Sequence, residues 1–514
     1  MFALAFALVL GLTQCKKENT TASNGDGAKV PITLNVSSGN RVAVETETGV
    51  VTFENDDVIY VASNGVCVGT LSYDGTQFAG EVTEPTEGQK LQFYFLGNKT
   101  PEFNADNTGC SVVISDQTEY LPVISYAPSR ENYQVGLTAY NATLLNKCAL
   151  VKFDVTSVVP DLATCLMGMN NKVTIDFTDN SFAYSQEGEG IITLPEGEGD
   201  HWAILLPQDE VVDTEANSSD GIWTGTCGSV PAISENDYLT EGIVIAISHP
   251  KGAINSLFTI NANGEQVYFS QGNLQYIGSA ATPYWKFAEN QWDYLGTTTG
   301  QNSNNENVDR DLFGWGTSGY NHGANAYQPW STSIDSRDYY AYGQLSYNLY
   351  DQTGQADWGY NAIANGGNAE NNGWRTLTRD EWMYINNTRT TTSGIRYAMA
   401  IVNGINGLIL LPDNWSSSIY ELNNTSYYYS SNTIGASDWV NILEANGAVF
   451  LPAAGTRDGT EMSNVYDQGL YWSASKSAGL LSAWAMLFDS GRLNSALSGY
   501  RNVGRSVRLV RPVE

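Results

Sequence analysis

Between residues 30 and 250 apolar and polar side chains alternate one for one, in runs such as Ile32–Ser37, Val151–Val155 and Val173–Phe177. Only an extended strand puts every second residue on the same face, so each run has one buried face and one wet face. Helical periodicity is nearly absent there, and this half of the chain is confined to β architecture. The Tyr73-Asp74-Gly75-Thr76 run predicts a hairpin between short strands. Lys90–Gly97, His201–Pro207 and Gly242–Ser248 read as further strands. Their spacing predicts two sandwich-like units divided near Lys147–Ala149, at residues 30–147 and 148–250.

Beyond residue 250 the chain changes material. Residues 1–250 carry 10 basic and 33 acidic side chains, and residues 251–514 carry 15 and 22. Eleven of the 13 Trp lie after residue 250, whereas all six Cys lie before it. The total charge of −30 argues against nucleic acid, whose phosphates need a basic face. It also argues against adsorption to anionic lipid. Three His in 514 residues, with no Cys pairs at metal-ligand spacing, argue against a metal centre. No nucleophile elbow and no phosphate loop occurs. His322 is the lone histidine after residue 249, and it reads as a loop residue. No cofactor is expected, and the chain reads as a non-enzyme.

The apolar run MFALAFALVLGLTQ has the length of a signal-peptide core, although no basic residue precedes it. Leu12-Thr13-Gln14-Cys15 then resembles a lipobox, followed by a polar tether over residues 16–29. An ordinary signal peptide with an incidental Cys is the alternative. Lipidation of Cys15 is the preferred reading, because this residue stands where greasy sequence meets polar sequence. It would make a lipid anchor the chain's sole membrane attachment, on an otherwise soluble protein at the outer-membrane surface.

In residues 251–514, a linker (251–259) leads into a Gly-, Asn-, Tyr- and Trp-rich segment with long loops. Two helices are predicted. One starts at Thr378-Arg379-Asp380-Glu381, a capping box. The other covers Ser437–Asn446, with Gly447 as its stop. Strands are expected at Ala448–Leu451, Leu470–Ser473, Ala483–Phe488 and Ser506–Val510.

Two family resemblances follow from these strings. RVAV (41–44), FENDDVIYV (53–61), YDGTQF (73–78) and ITLPEGEGDHWAILLP (192–207) resemble, in order, Mfa-like fimbrillins over residues 28–250. That family's members are lipoproteins of two β-sandwich domains, and some polymerise. In those, proteolysis after a basic residue frees the first strand and a neighbour's strand replaces it. Arg41 sits where such a cut would fall; the other reading is an ordinary surface arginine. LFGWGTSGY (312–320), GWRTLTRDEW (373–382), FLPAAGTR (450–457), YWSAS (471–475) and GRSVRLVR (504–511) resemble the Fib-succ-major paralogous family. This implies an α+β C-type-lectin-like domain over 260–514. The GWRTLTRDEW run is also similar to formylglycine-generating enzymes, but their thiols have no counterpart after residue 250. Gln328-Pro329-Trp330 and Leu411-Pro412-Asp413-Asn414-Trp415 depart from the calcium-site pattern of sugar-binding lectins.

The expected architecture is therefore mostly β: two fimbrillin-like sandwiches, then a lectin-like domain. The resemblance implies binding through the segment before the last strand, which domains of this fold often use, and this C-terminus also resembles the lectin-fold targets in which diversity-generating retroelements vary that segment. Here the candidates are Lys476, Leu480, Leu481, Asp489, Arg492, Asn494, Leu497, Tyr500 and Arg501. The alternative is a solvated loop pair closing the fold. Trp484, Met486 and Phe488 share a strand face and are expected in the core. Tyr339-Tyr340-Ala341-Tyr342 and Tyr427-Tyr428-Tyr429 are secondary candidates for exposed aromatic surface. The expected role is a surface adhesin or a pilus tip or accessory subunit, binding a glycan or protein on a host or neighbouring cell. A structural fimbrial subunit, joined to others by strand addition, is the alternative, and an enzyme the remote one.

Overall fold

A computed structural model describes residues 27–38, 53–296, 303–320, 327–342 and 347–513. Cys15, Arg41 and His322 lie outside the described residues. The chain is mostly β and forms two compact units. The first comprises residues 1–156, 160–216 and 227–246, and the second residues 157–159, 217–226 and 247–514.

Nine strands open the first unit: β1 (Lys29–Ser38), β2 (Val58–Ser63), β3 (Val66–Tyr73), β4 (Phe78–Thr83), β5 (Lys90–Leu96), β6 (Glu102–Phe103), β7 (Gly109–Val113), β8 (Ile124–Asn132) and β9 (Ala139–Asn146). Seven of them close into a barrel in the order β1-β4-β3-β2-β5-β8-β9. Closure comes from β1, antiparallel to β4 and parallel to β9. The alternation read from the sequence sets its faces, with Ile32 and Leu34 buried and Pro31 and Asn35 exposed. At the 73–76 hairpin, Asp74 accepts from Thr76 N and Gln77 N at 2.8 and 2.9 Å, and Gly75 takes φ 96°. The Thr76 hydroxyl and these amides hold the Asp74 carboxyl below its usual range.

The expected division at residue 147 needs correction. β7 pairs with Lys172–Asp176 from beyond that point, and β6 pairs with β7, in one four-stranded sheet. Local alternation marks strands but does not say which strands pair. The five described Cys are free thiols, and Cys67, Cys110 and Cys148 are buried. Burial pushes the Cys67 thiol up to about 11 and those of Cys110 and Cys148 up to about 12.

In the second unit, α1 (Arg379–Met383) starts on the expected capping box. Thr378 Oγ1 accepts from Glu381 N at 3.2 Å, and Glu381 Oε2 accepts from Thr378 N at 2.7 Å. The second helical stretch opens with α2 (Ala436–Asp438), runs through wider and tighter turns to Asn446, and stops at Gly447 with φ 84°. Alanine there would put a Cβ against Ser256 as well as into a left-handed conformation. Three long strands end the unit as an antiparallel meander: β10 (Gln468–Lys476), β11 (Ser482–Asp489) and β12 (Arg492–Tyr500). The last strand is Leu509–Pro512, starting three residues later than expected. Ser506 instead makes an isolated bridge with Tyr471. Trp315, Trp358, Trp382, Trp415, Trp439 and Trp472 are fully buried, as large rings in a loop-rich unit should be.

What holds the loops is less expected. Arg310, Arg389, Arg457, Arg501, Arg505, Arg508 and Arg511 are all buried. Most of their hydrogen bonds end on backbone carbonyls. Arg457 donates to Gly459 O, Leu312 O and Ser331 O at 2.8, 3.3 and 3.0 Å. Arg508 donates to Ser270 O at 3.1 Å and to Phe450 O. A guanidinium has five donors and lies flat on rings, so it can satisfy carbonyls that no strand pairs. Arg505 stacks on Trp472 at 4.2 Å and Arg501 on Trp315 at 4.7 Å. Desolvation lowers Arg505 to about 9 and Arg501 and Arg508 to about 10, leaving all three charged at neutral pH. Asp311 and Asp357 are the buried acids among the described residues 251–513, so eight basic and nineteen acidic side chains remain outside. The near-neutral count of −7 thus conceals a described surface of −11.

His249 is a group whose titration bears on stability at mildly acidic pH. Burial pulls its imidazole down to about 4, from an ordinary 6.5. The fold accommodates the neutral ring, so this contribution is complete above pH 6.5 and lost as pH falls toward 4. His249→Gln should flatten the loss of stability over that interval, measured by urea unfolding at successive pH values.

Candidate ligand-binding groove

The β10–β11 turn and the end of β12 form one wall of a groove of about 580 Å³, with Gly479, Leu480, Leu481, Ser482 and Tyr500 on that side. Asp335, Arg337 and Tyr342 form the other. Register explains the first wall: β11 and β12 pair with Ser482 opposite Tyr500, which brings the turn beside the strand end. Leu480, Tyr342 and Tyr500 are 46%, 44% and 61% exposed. Large apolar side chains so exposed and so grouped mark an interaction site more often than scattered ones do. Arg337 is tied to Asp335 by bonds of 2.8 Å from Nε to both carboxylate oxygens. The neighbouring Arg337 guanidinium and amide hold the Asp335 carboxyl below its ordinary range. The ion pair leaves a polar, charge-balanced rim beside an apolar floor.

Two residues in the turn after β12 fix the second wall. Arg501 was expected to face a ligand, but it is 2% exposed. Its Nη1 donates to Tyr340 O at 2.6 Å and its Nε to Ser482 O at 3.3 Å, bridging the two walls from beneath. The strand ends at Tyr500, and the turn that follows carries Arg501 inward. Beside it, Asn502 accepts from Ser336 Oγ at 2.5 Å and donates to Asp458 at 2.8 Å. Both are positioning residues.

The other candidates do not converge. Asp489 and Arg492 pair across the far turn, with Nε to Oδ2 at 3.2 Å. Seven residues of strand separate them from Ser482, about 23 Å. Asn494 Oδ1 accepts from Ala496 N at 3.0 Å, and Leu497 is half-buried opposite Ala485. Lys476 ends β10, half-buried, with its backbone N donating to Asn348 Oδ1 at 3.0 Å. Of the nine, the groove unites Leu480, Leu481 and Tyr500.

The aromatic expectations divide as well. Tyr428 and Tyr427 are 69% and 40% exposed, whereas Tyr339, Tyr340 and Tyr429 are buried. Trp484 is half-buried rather than core, lying under the Arg379 guanidinium at 4.8 Å; Met486 and Phe488 on the same face are fully buried. Asp335 and Arg337 carried no signal in the sequence, since they meet the groove from some 150 residues away.

No protein-family model matches the chain, and no curated protein does. Several solved structures are similar. A provisionally described cell adhesion protein from Bacteroides ovatus ATCC 8483 is 15% identical, over 43% of this chain and 97% of that one, with a TM-score of 0.28. The fimbrial anchor protein Mfa2 from Porphyromonas gingivalis is 12% identical, over 37% and 73%, with a TM-score of 0.23. A fimbrial protein from Bacteroides ovatus ATCC 8483 is 10% identical, over 94% and 99%, with a TM-score of 0.23.

Proposed function

We propose that this chain is a lipid-anchored cell-surface adhesin or fimbrial accessory subunit whose second, lectin-like unit docks a protein partner. The supporting observation is the groove between Tyr342 and Leu480–Tyr500, held open by a buried arginine. Its apolar floor suits an apolar side chain of the partner, and the net −11 of the described surface of residues 251–513 favours a partner of positive charge. Lipidation at Cys15 supplies the anchor; no helix among the described residues is long and apolar enough to cross a membrane. The reading is non-enzymatic.

Leu480→Glu and Tyr500→Ala alter exposed side chains, so each should shift stability by no more than about 0.5 kcal/mol. Capture of a cell-surface partner by the full chain should weaken at least tenfold in both, and remain unchanged in Arg492→Ala at the far turn. Equal capture by all three variants removes the groove from the function.

The second reading is a structural subunit that contacts only its own fimbria by strand addition. The position of β1 favours it: this strand closes the barrel, and the chain continues from it toward Arg41. Retention of Arg41 in protein isolated from cells, by mass spectrometry of the N-terminal peptide, counts against strand exchange.

A further inference from the structure

A second cleft, of about 320 Å³, shares no residue with the groove. Trp292, Asp293 and Tyr294 line it together with the β-hairpin turn at Asn403 and the loop at Tyr466. Tyr466 has φ 72°, and among the described residues with positive φ it alone is aromatic. A side chain with a Cβ is disfavoured in that conformation, and an aromatic one has no local bond to offset it. Two backbone contacts impose it: Tyr466 N donates to Ala453 O at 3.0 Å, and Tyr466 O accepts from Asn406 Nδ2 at 2.8 Å. The result is a ring 57% exposed at the cleft mouth, edge-on to Tyr294 at 5.9 Å. Strain kept to hold an exposed ring is the kind of outlier that marks a functional site.

Two polar groups at the cleft keep hydrogen-bonding capacity that the fold does not use. Asp293 takes Asn290 N and Nδ2 on Oδ2 at 3.0 and 2.9 Å, leaving Oδ1 without a protein hydrogen-bond partner among the described residues. Asn403, exposed with φ 48°, makes no side-chain hydrogen bond among them either. The buried Tyr294 hydroxyl has the Tyr466 hydroxyl as a close polar neighbour. Trp292 is fixed by packing on the core cluster of Trp415 and Trp439. Rigid aromatic faces with a few convergent amide and carboxylate groups suit a ligand that is apolar on its faces and hydroxylated on its rim. The Asp293 carboxylate and the acidic surface disfavour anionic ligands.

We propose that this cleft is a binding site for a neutral pyranose, stacked on Tyr466 and Trp292 and hydrogen-bonded by Asp293 and Asn403. It needs no metal and does not depend on the groove. The test uses the full chain, titrated calorimetrically with maltotriose, cellotriose and mannotriose and screened on an array of neutral, sialylated and sulfated glycans. Tyr466→Gly and Asn403→Gly both place glycine at a positive φ, so neither endangers folding. The expected result is binding of a neutral glycan, at least tenfold weaker in each variant, with Tm unchanged or higher. Absence of any neutral glycan ligand overturns the proposal. So does binding that survives both substitutions, or a preference for anionic glycans. A fall in Tm for Tyr466→Gly shows that the ring serves the fold and also overturns it.

Discussion

Asp413→Ala should lower the stability of the second unit by roughly 3–5 kcal/mol, a fall in Tm of about 10 °C. Asp413 Oδ1 accepts from Arg389 Nη1 at 2.8 Å, and the Arg389 side chain is 0% exposed. Its Oδ2 gathers Thr259 N, Thr259 Oγ1 and Gln266 Nε2 at 2.9, 2.6 and 3.0 Å. Burial pulls the Arg389 guanidinium below its ordinary range and Asp413 opposes this, so the carboxylate keeps a buried cation charged. Alanine would leave that cation with Leu411 O at 2.7 Å, Ile385 O at 3.5 Å and the Phe258 ring. The double variant Arg389→Met, Asp413→Ala should lose less than the sum of the single changes, because no orphaned charge remains. Urea unfolding followed by tryptophan fluorescence reports on this unit, since 11 of the 13 Trp follow residue 250. A loss below about 1 kcal/mol for Asp413→Ala would show that the pair is solvated in practice.

Arg501→Ala should abolish partner capture and cost about 3 kcal/mol, from the orphaned Tyr340 carbonyl and the space left over Trp315. Arg501→Lys should recover part of the stability but little of the capture. An ammonium keeps the charge and cannot bridge Tyr340 O and Ser482 O while lying flat on the indole. The contrast with Tyr500→Ala is the informative one. Tyr500→Ala should remove binding and leave stability intact, whereas Arg501→Ala should remove both. Full capture by Arg501→Ala would show that the groove walls hold their spacing without it.

Several features of the fold were legible residue by residue. Thr378 and Glu381 announced a helix start because their side chains can reach each other's backbone within one turn. Gly447 announced a helix end because little else tolerates φ 84°. The alternation over Ile32–Ser37 announced a strand and its buried face. In the groove, Leu480, Leu481 and Tyr500 were nominated from one short segment. Arg501 was assigned to the surface, because an arginine in isolation reads as a surface residue, and its neighbours Trp315 and Tyr340 are far away in sequence. The aromatic cleft carried no signal at all, since Trp292, Asn403 and Tyr466 come from three distant turns.

The sequence by itself determined that this chain would be mostly β and made of two materials, acidic and then aromatic. Those properties reside in side-chain period and composition, which need no partner to be read. Tertiary structure alone decided which strands pair across residue 147, and which arginines leave the surface to hold carbonyls. It also decided that the near-neutral half is wrapped in negative charge. Each of these depends on contacts between segments far apart along the chain. Such contacts form where burial outweighs the entropy of closing long loops, a balance that no local pattern encodes.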